Sequence, residues 1–396
     1  MPMTFANACL ILPDRVVPAG TLTIEGERIV AVNQPAPAGA PVVDLAGRYL
    51  APGFVDIHVH GGDGADFMDL TPDAFATVAR CHARHGTTSF TPTSTTGPTA
   101  DSLAFLELCR RCVTHPQGAR NLGGHLYGPY FAKPARGCHP TDGDYLTPAP
   151  GNWEPFLAFA GRGLTTLTLA AELENVEPLI HACRLANVHV NVGHSYATFE
   201  QTEAAMRAGA RHVDHLYCAM SDRARLRQTQ AFPMRAGVLE ATLANAGLTT
   251  EVIADGWHLA DSILQFAYRI KGPDRLCLVT DSMRAVDRPD GEYWFGPVGR
   301  GTLVRRRGEV GVTPDGLALG SGVMGMDHHV RVMARATKAP LHEVIRMATL
   351  TPATMLGRQN ELGQLLPGTF ADLVVLDGSL RVVDVWIGGR RLPDAG

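Results

Sequence analysis

Residues 52–61 read Pro-Gly-Phe-Val-Asp-Ile-His-Val-His-Gly, a short apolar run with two histidines near its end. Side chains alternate between the two faces of a β-strand, so His58 and His60 share a face if this run is a strand. Imidazoles that share a face at a strand end are common ligands of divalent first-row metals. The run therefore predicts a strand with a polar site at its carboxyl end.

Similar runs recur through the middle of the chain, with amphipathic helical stretches between them. The strand-like runs begin near residues 54, 88, 122, 165, 188, 212, 249 and 276. The helical stretches include 71–85, 99–113, 198–208 and 261–270. This alternation over about 300 residues is the pattern of a (β/α)8 TIM barrel, an α/β fold. A doubly wound open sheet is the alternative, but no glycine fingerprint for a dinucleotide follows any run.

The two ends of the chain share a strand character that the middle lacks. Short β-like runs separated by turns fill residues 10–32, and residues 372–387 repeat the pattern before a Gly388-Gly389 turn. We therefore expect one small β-domain built from both termini, over residues 1–51 and 357–396. The barrel is expected to occupy residues 52–356.

Composition excludes several classes of function. The chain of 396 residues has 35 Lys and Arg against 39 Asp and Glu, a net charge of −4. It therefore has no broad basic field for a nucleic acid or an anionic membrane. No apolar run reaches the roughly 18 residues of a membrane span, and the first twelve residues lack the basic side chains of a secretory signal. We expect a cytoplasmic globular protein that binds neither nucleic acid nor a membrane.

Polar side chains cluster at the predicted carboxyl ends of the strands, where barrels of this type carry their chemistry. After the first strand, the ends read His125-Leu-Tyr127, Gly193-His194, Asp214-His215, Asp255-Gly-Trp-His258 and Thr280-Asp281. Facing one axis, these side chains can converge on one ion. We predict a site for zinc or another divalent metal with His58, His60, His194, His215 and Asp281 as ligands.

Further motifs follow residues 52–61 in a fixed order along the chain. They are Gly193-His-Ser-Tyr-Ala-Thr198, His215-Leu-Tyr-Cys-Ala-Met220, Ile253-Ala-Asp-Gly-Trp-His258, Leu278-Val-Thr-Asp281, Gly320-Ser321 and Ile345-Arg-Met-Ala-Thr-Leu-Thr-Pro-Ala353. Together these motifs resemble the N-acetylglucosamine-6-phosphate deacetylases of the amidohydrolase superfamily, from about residue 44 to the C-terminus. The resemblance implies a barrel flanked by a small β-sandwich, hydrolysis of the N-acetyl group of an amino sugar, and a homodimer.

The resemblance also suggests which residues contact the substrate. We expect these to be Tyr127, Cys138, His139, Cys218, Ala219, Asp255, Gly256, Trp257, His258, Leu319, Gly320 and Ser321. Metal-activated water would attack the amide carbonyl. Asp281 would be the catalytic residue that takes the water proton and returns it to the departing amine.

Three positions depart from the deacetylase pattern. A metal-binding Glu is replaced by Tyr127, and a phenol with a pKa of about 10 is a poor ligand. Cys218 replaces a substrate-contacting Asn. Met234, next to Arg235, occupies the position of a phosphate-binding Arg. We therefore expect one ion, zinc or else iron, and leave the 6-phosphate open. Either the Tyr127 ring fills the place of a second ion, or the Tyr127 hydroxyl forms a hydrogen bond with the metal-bound water or the developing oxyanion.

Two other functions remain open from the sequence. The same metal cage activates water against other C–N bonds, so a deaminase or a cyclic amidase acting on a non-phosphorylated substrate is the rival enzyme. A catalytically inactive relative that serves as a binding protein is the alternative from a different class, and the loss of the Glu motivates it. The retained histidines and Asp281 favour an enzyme.

Overall fold

The structure is a computed structural model that describes residues 1–112, 118–229, 232–316 and 318–393. Its strands are β1 (Met3–Ile11), β2 (Val16–Glu25), β3 (Arg28–Val32), β4 (Val42–Asp44), β5 (Tyr49–Pro52), β6 (Phe54–Val59), β7 (Gly61–Gly62), β8 (Ala65–Asp66), β9 (Thr87–Pro92), β10 (Arg120–Asn121), β11 (Gly124–Tyr130), β12 (Leu164–Leu169), β13 (His189–Val192), β14 (His212–Val213), β15 (Thr249–Ile253), β16 (Leu276–Val279), β17 (Gly291–Phe295), β18 (Thr302–Arg307), β19 (Val310–Val312), β20 (Leu373–Leu376), β21 (Val382–Ile387) and β22 (Arg390–Arg391).

The helices lie mostly between the strands of the middle region. They are α1 (Pro72–Arg84), α2 (Thr99–Arg111), α3 (Glu154–Leu157), α4 (Val176–Leu185), α5 (Phe199–Ala208), α6 (Arg223–Leu226), α7 (Val238–Ala244), α8 (Asp261–Lys271), α9 (Met326–Thr337), α10 (Leu341–Met347) and α11 (Leu350–Met355), with 3-10 helices at Phe67–Asp69 and Lys133–Ala135. Within the described ranges, no helix combines the length and the apolar character that crossing a bilayer requires.

The barrel is a ring of parallel strands. β6 pairs with β9, and β11 to β16 pair in sequence order. Single parallel bridges from Thr93 to His125 and from Val59 to Ser282 join these two sheets. The (β/α)8 barrel is therefore confirmed, and the predicted runs correspond to β6, β9 and β11 to β16.

Local sequence explains where the helices beside the site begin. The hydroxyl of Thr71 accepts a bond from the Ala74 amide at the start of α1. At the start of α5, Thr198 and Gln201 form a reciprocal capping box. Such caps satisfy amide groups that a helix leaves unpaired at its first turn. Because the α5 cap follows His194 closely, it limits the freedom of the fifth strand end.

Strands from both chain ends form the small β-domain. The sheet has the order β22-β21-β20-β5-β1-β2-β3, with β4 paired to β1. Phe5, Leu22, Leu50 and Trp386 are among the residues of its apolar core. The terminal β-sandwich beside the barrel is thus confirmed. Its boundaries at residues 51 and 357 remain predictions, and β5 runs across the first of them.

A small antiparallel sheet follows the last barrel strand. β17, β18 and β19 form an antiparallel meander. Phe295, the last residue of β17, is buried and packs edge-on against the rings of His60 and His139. The meander thus supplies an apolar wall to the carboxyl end of the barrel.

Candidate active site

A pocket of about 250 Å³ lies at the carboxyl ends of the barrel strands. Among its lining residues are the predicted ligands His60, His194, His215 and Asp281 and the predicted substrate contacts Tyr127, Cys138, His139, Cys218, Ala219, His258, Leu319 and Ser321. His58 lies beneath the pocket and is fully buried. The predicted contacts Asp255, Gly256, Trp257 and Gly320 flank the pocket in sequence and are not among its lining residues.

Three of the predicted ligands converge on one point. His58 Nε2 lies 3.5 Å and His60 Nε2 lies 3.2 Å from the same oxygen of Asp281. Both imidazole nitrogens are buried and make no hydrogen bond. A buried nitrogen without a partner is costly, unless a bound group satisfies it. Two imidazoles and a carboxylate are also the donor types of a divalent metal site, so these residues fit a metal ion.

The backbone holds Asp281 firmly in place. Its amide donates to the carbonyl of His58 at 2.9 Å, and its carbonyl accepts bonds from Gly322 N and the Ser321 hydroxyl. Asp281 has a φ of 44°, in the left-handed region that non-glycine residues rarely adopt. Burial alone would raise the pKa of Asp281. The nearby His58 and His60 lower it by more than burial raises it, so the net pKa lies below its ordinary value. The carboxylate is therefore ionised at neutral pH.

His194 stands opposite this group with one nitrogen free. Its Nδ1 lies 2.8 Å from the Ala135 carbonyl, to which it donates. The Phe131 ring stacks on the imidazole at 4.2 Å between centroids, which fixes the ring plane. Burial lowers the pKa of His194 well below its usual value, so the ring is neutral. Nε2 therefore keeps a lone pair on the pocket side.

His215 is bound to Tyr127 instead of being free. The Tyr127 hydroxyl lies 2.6 Å from His215 Nε2. Burial raises the pKa of Tyr127 well above its ordinary value and lowers that of His215, so a protonated phenol meets a neutral imidazole. The phenol then donates to Nε2. Of the five predicted ligands, His58, His60 and Asp281 converge on one point, whereas Tyr127 engages Nε2 of His215.

Two further histidines offer polar groups to a substrate. His139 Nδ1 accepts a bond from the Thr96 amide at 3.2 Å. Because burial lowers its pKa well below the usual value, His139 is neutral and its Nε2 must carry the proton. His258 Nδ1 lies 2.7 Å from Asp255 Oδ2. Burial lowers the pKa of His258, but Asp255 raises it more, so the net pKa lies above its ordinary value.

Asp255 also organises the loop after the seventh strand. Its Oδ1 accepts bonds from the amides of Trp257 and His258, both at 2.8 Å. Gly256, between Asp255 and Trp257, has a φ of 84°. The Trp257 residue is 55% exposed at the rim. Asp255 and Gly256 therefore act on the pocket through the position of His258.

The two cysteines of the wall are buried thiols. Burial raises the pKa of Cys218 to about 12 and raises that of Cys138 as well. A thiol with so high a pKa stays protonated, and only a thiolate is a strong ligand or nucleophile. In this geometry Cys138 and Cys218 serve as compact wall residues.

Several residues at the site were not predicted from the sequence. Gly137, Ile253 and Phe295 line the pocket. Glu251 lies below it, fully buried in β15. Burial raises the pKa of Glu251, but His58 and His212 lower it more, so the carboxylate is ionised. The available signal was a charged residue within the otherwise uncharged run Thr249-Thr-Glu-Val-Ile253.

Histidines outside the predicted set play structural parts. His82 Nε2 bonds the Gly61 carbonyl and the Ser282 hydroxyl, and burial lowers its pKa to about 4. His328 Nε2 lies 3.0 Å from the Asp255 carbonyl. His125 Nε2 lies 2.7 Å from the Thr168 hydroxyl, beneath the pocket. Through these contacts His82 and His328 hold backbone carbonyls beside the site.

Comparison with known proteins extends the likeness over the whole chain. The model of the amidohydrolase family matches residues 49–392. An N-acetylgalactosamine-6-phosphate deacetylase of Escherichia coli O157:H7 is 34% identical over 363 residues, 91% of this chain and 92% of that protein. The crystal structure of an N-acetylglucosamine-6-phosphate deacetylase from Pasteurella multocida has a TM-score of 0.90 at 26% identity and covers 99% of both chains. A mutant deacetylase from Mycobacterium smegmatis, in complex with N-acetyl-D-glucosamine-6-phosphate, has a TM-score of 0.88 at 30% identity, again over 99% of both chains.

Proposed function

Since the chain belongs to the amidohydrolase family, we propose that it is a metal-dependent hydrolase that removes the N-acetyl group of an amino sugar. The relatives act, by their names, on 6-phosphates of N-acetylgalactosamine and N-acetylglucosamine. The observation that carries the proposal is the convergence of His58, His60 and Asp281 on one point at the pocket floor.

A divalent metal, which we propose to be a single zinc ion with iron as the alternative, would be held by His58, His60 and Asp281. When bound, it supplies Lewis-acid activation of water and of the amide carbonyl. His194 remains in the proposed ligand set because its Nε2 is free. His215 also remains, but it can bind a metal only if the Tyr127 hydroxyl leaves its Nε2.

The residues of the chain supply the proton transfers. Asp281 is ionised and lines the pocket, so it can take a proton from the attacking water. The same carboxyl group then returns the proton to the nitrogen of the departing amine. Nε2–H of His139 can donate a hydrogen bond to the substrate, either to the amide oxygen or to a sugar hydroxyl.

Tyr127 occupies the position of the missing carboxylate. Its ring packs against His58 and His194, with centroids 4.6 and 5.2 Å away. The hydroxyl can turn from His215 toward a developing oxyanion, since a phenol is both donor and acceptor. We propose that Tyr127 allows one ion only.

The pocket lining bears on whether the substrate carries a 6-phosphate. No Lys or Arg occurs among the described residues that line the pocket. The lining residue that can donate to an anionic group there is His258, whose pKa Asp255 raises above its ordinary value. This lining favours, as the second candidate, an N-acetylated substrate without a 6-phosphate.

Metal analysis followed by a substrate panel tests the proposal. The purified protein is expected to hold about one zinc or iron ion per chain. N-acetylglucosamine and N-acetylgalactosamine, each with and without a 6-phosphate, are then assayed for acetate and free amine. Release of both products from one of these sugars supports the deacetylase. Ammonia release from aminated heterocycles or opening of cyclic amides would indicate the rival C–N hydrolase, and absence of both metal and turnover would favour the inactive relative.

The resemblance also leads us to propose a cytoplasmic homodimer. Light scattering after size-exclusion chromatography measures the mass directly. A mass of one chain, 42.4 kDa, would contradict the dimer.

A further inference from the structure

Glu251 is a buried carboxylate directly below the metal-site residues. It lies in β15, inside the barrel, and its side chain is 1% exposed. Neither its position in a strand nor the proposed hydrolysis requires an acidic residue there. A buried ionised carboxylate is unfavourable unless its oxygens are paired. The partners of its two oxygens therefore indicate the role of Glu251.

Both oxygens of Glu251 are paired with groups of β6 and of β14 and the residues that follow it. Oε1 lies 2.6 Å from His58 Nδ1 and also accepts the His215 amide at 3.1 Å. Oε2 lies 3.2 Å from His212 Nε2. One carboxylate thus connects the ring of one proposed ligand with the backbone of another, and His212 holds it from below.

The bond to His58 determines which imidazole nitrogen faces the pocket. Oε1 accepts the His215 amide, so it acts as an acceptor toward His58 Nδ1 as well, and Nδ1 carries the proton. Nε2 then faces Asp281 and is the ring nitrogen available to a metal. Histidines that bind metals commonly donate their other N–H to a carboxylate, which fixes the ring and raises its basicity.

Asp214 is a neighbouring candidate for this role, but its oxygens are engaged elsewhere. Asn191 donates to its Oδ1 and the Thr168 hydroxyl donates to its Oδ2, both at 2.7 Å. The short contact to His58 is made by Glu251. The two carboxylates therefore have different partners although they lie close together.

We propose that Glu251 is the positioning residue of the metal centre, which holds His58 in the Nδ1–H tautomer and so sets the metal affinity of the pocket. The proposal rests on the proposed function in one respect, because it requires that the His58 group binds a divalent ion. Glu251 touches no substrate and takes no part in the proton transfers.

Metal affinity is the readout, measured without substrate. Metal-free wild-type protein and the Glu251→Gln variant are titrated with zinc against a competing chromogenic chelator. Gln keeps the shape but loses the charge, and we expect zinc affinity to fall about 10- to 100-fold. The Glu251→Asp variant keeps the negative charge, but its shorter side chain places the carboxylate farther from His58 Nδ1. We expect this variant to lose zinc affinity as well.

Asp372→Asn is the matched control. Asp372 is another buried carboxylate, bonded to the Gly388 amide of the terminal domain and to Arg120 of β10, away from the pocket. We expect this variant to keep the wild-type affinity. Equal affinity in Glu251→Gln and wild type would overturn the positioning role, as would an equal loss in Asp372→Asn. A wild-type protein that takes up no metal would instead reject the proposed function itself.

A measurement on the wild-type protein covers the case in which the Glu251 variants do not fold. Cobalt-loaded protein is expected to show a paramagnetically shifted, solvent-exchangeable proton from His58 Nδ1–H that exchanges slowly, because Glu251 holds it. A spectrum in which every shifted ring N–H exchanges rapidly with solvent would contradict the proposal.

Discussion

The hydroxyl of Tyr127 and Nε2 of His215 lie 2.6 Å apart, across the barrel mouth from the third strand end to the sixth. This bond engages the nitrogen that His215 would present to a metal. The phenol stands where the deacetylase pattern has a carboxylate, and it also occupies a nitrogen of a proposed metal ligand.

Replacing Tyr127 by Glu should therefore restore capacity for a second ion. In Tyr127→Glu, a carboxylate replaces the phenol near His194 and His215, and metal content is expected to rise from about one toward two ions per chain. Elemental analysis after equilibration with zinc measures this. Tyr127→Phe is the control, since it frees His215 but adds no anionic ligand. An unchanged count in Tyr127→Glu would show that the pocket differs from a two-ion site by more than this residue.

Asp281→Asn should abolish turnover while leaving most of the metal bound. The amide keeps one oxygen near His58 and His60 but cannot accept the water proton. We expect a loss of at least about 100-fold in kcat, the lower end of the range for general acid–base catalysis. Assays of acetate release and metal content on the same sample separate the two effects. A variant with a near-normal rate would remove Asp281 from its proposed role.

The ion network around His85 predicts a loss of stability at alkaline pH. His85 Nδ1 lies 3.0 Å from Asp327 and Nε2 lies 2.9 Å from Asp287. Burial lowers the pKa of His85, but the two carboxylates raise it to about 9, above the ordinary 6.5. A raised histidine pKa stabilises the folded state fully below pH 6.5 and loses this contribution as the pH rises through 9.

Urea unfolding between pH 6 and pH 10 tests this network. The free energy of unfolding is expected to fall by about 1 to 3 kcal/mol between pH 7 and pH 10. His85→Gln should be less stable at pH 7 and should show a smaller fall. Parallel pH profiles for the two proteins would mean that other groups cause the loss.

Gly193, next to His194, should not tolerate a side chain. A Cβ there would lie 2.4 Å from Asp214 Oδ2 and 2.9 Å from Thr168 Cγ2, inside the barrel. Gly193→Ala is expected to lower the free energy of unfolding by about 1 to 3 kcal/mol, as overpacking does. Gly97→Ala is the control, because a Cβ at Gly97 meets nothing within 4 Å. Equal stability of the two variants, measured by urea unfolding, would contradict this packing.

Local patterns in the sequence were sufficient for the architecture and for most of the pocket. Hydrophobic runs and helical periodicity are properties of contiguous residues, so β6 and the seven later barrel strands were predictable. The rule that a barrel places its chemistry at the carboxyl strand ends then located His60, His194, His215 and Asp281 on one pocket.

Contacts between distant strands were decided by the tertiary structure. Tyr127 and His215 are 88 residues apart, and His58 and Glu251 are 193 apart, so no periodicity relates them. Phe295 reaches the pocket from a meander that follows the last barrel strand. A hydrogen bond depends on atomic positions to a few tenths of an ångström, which only the packed strands determine. The chain by itself therefore specified the fold and the donor types at the strand ends, while the closed barrel determined which donors are paired and which stay free for a metal.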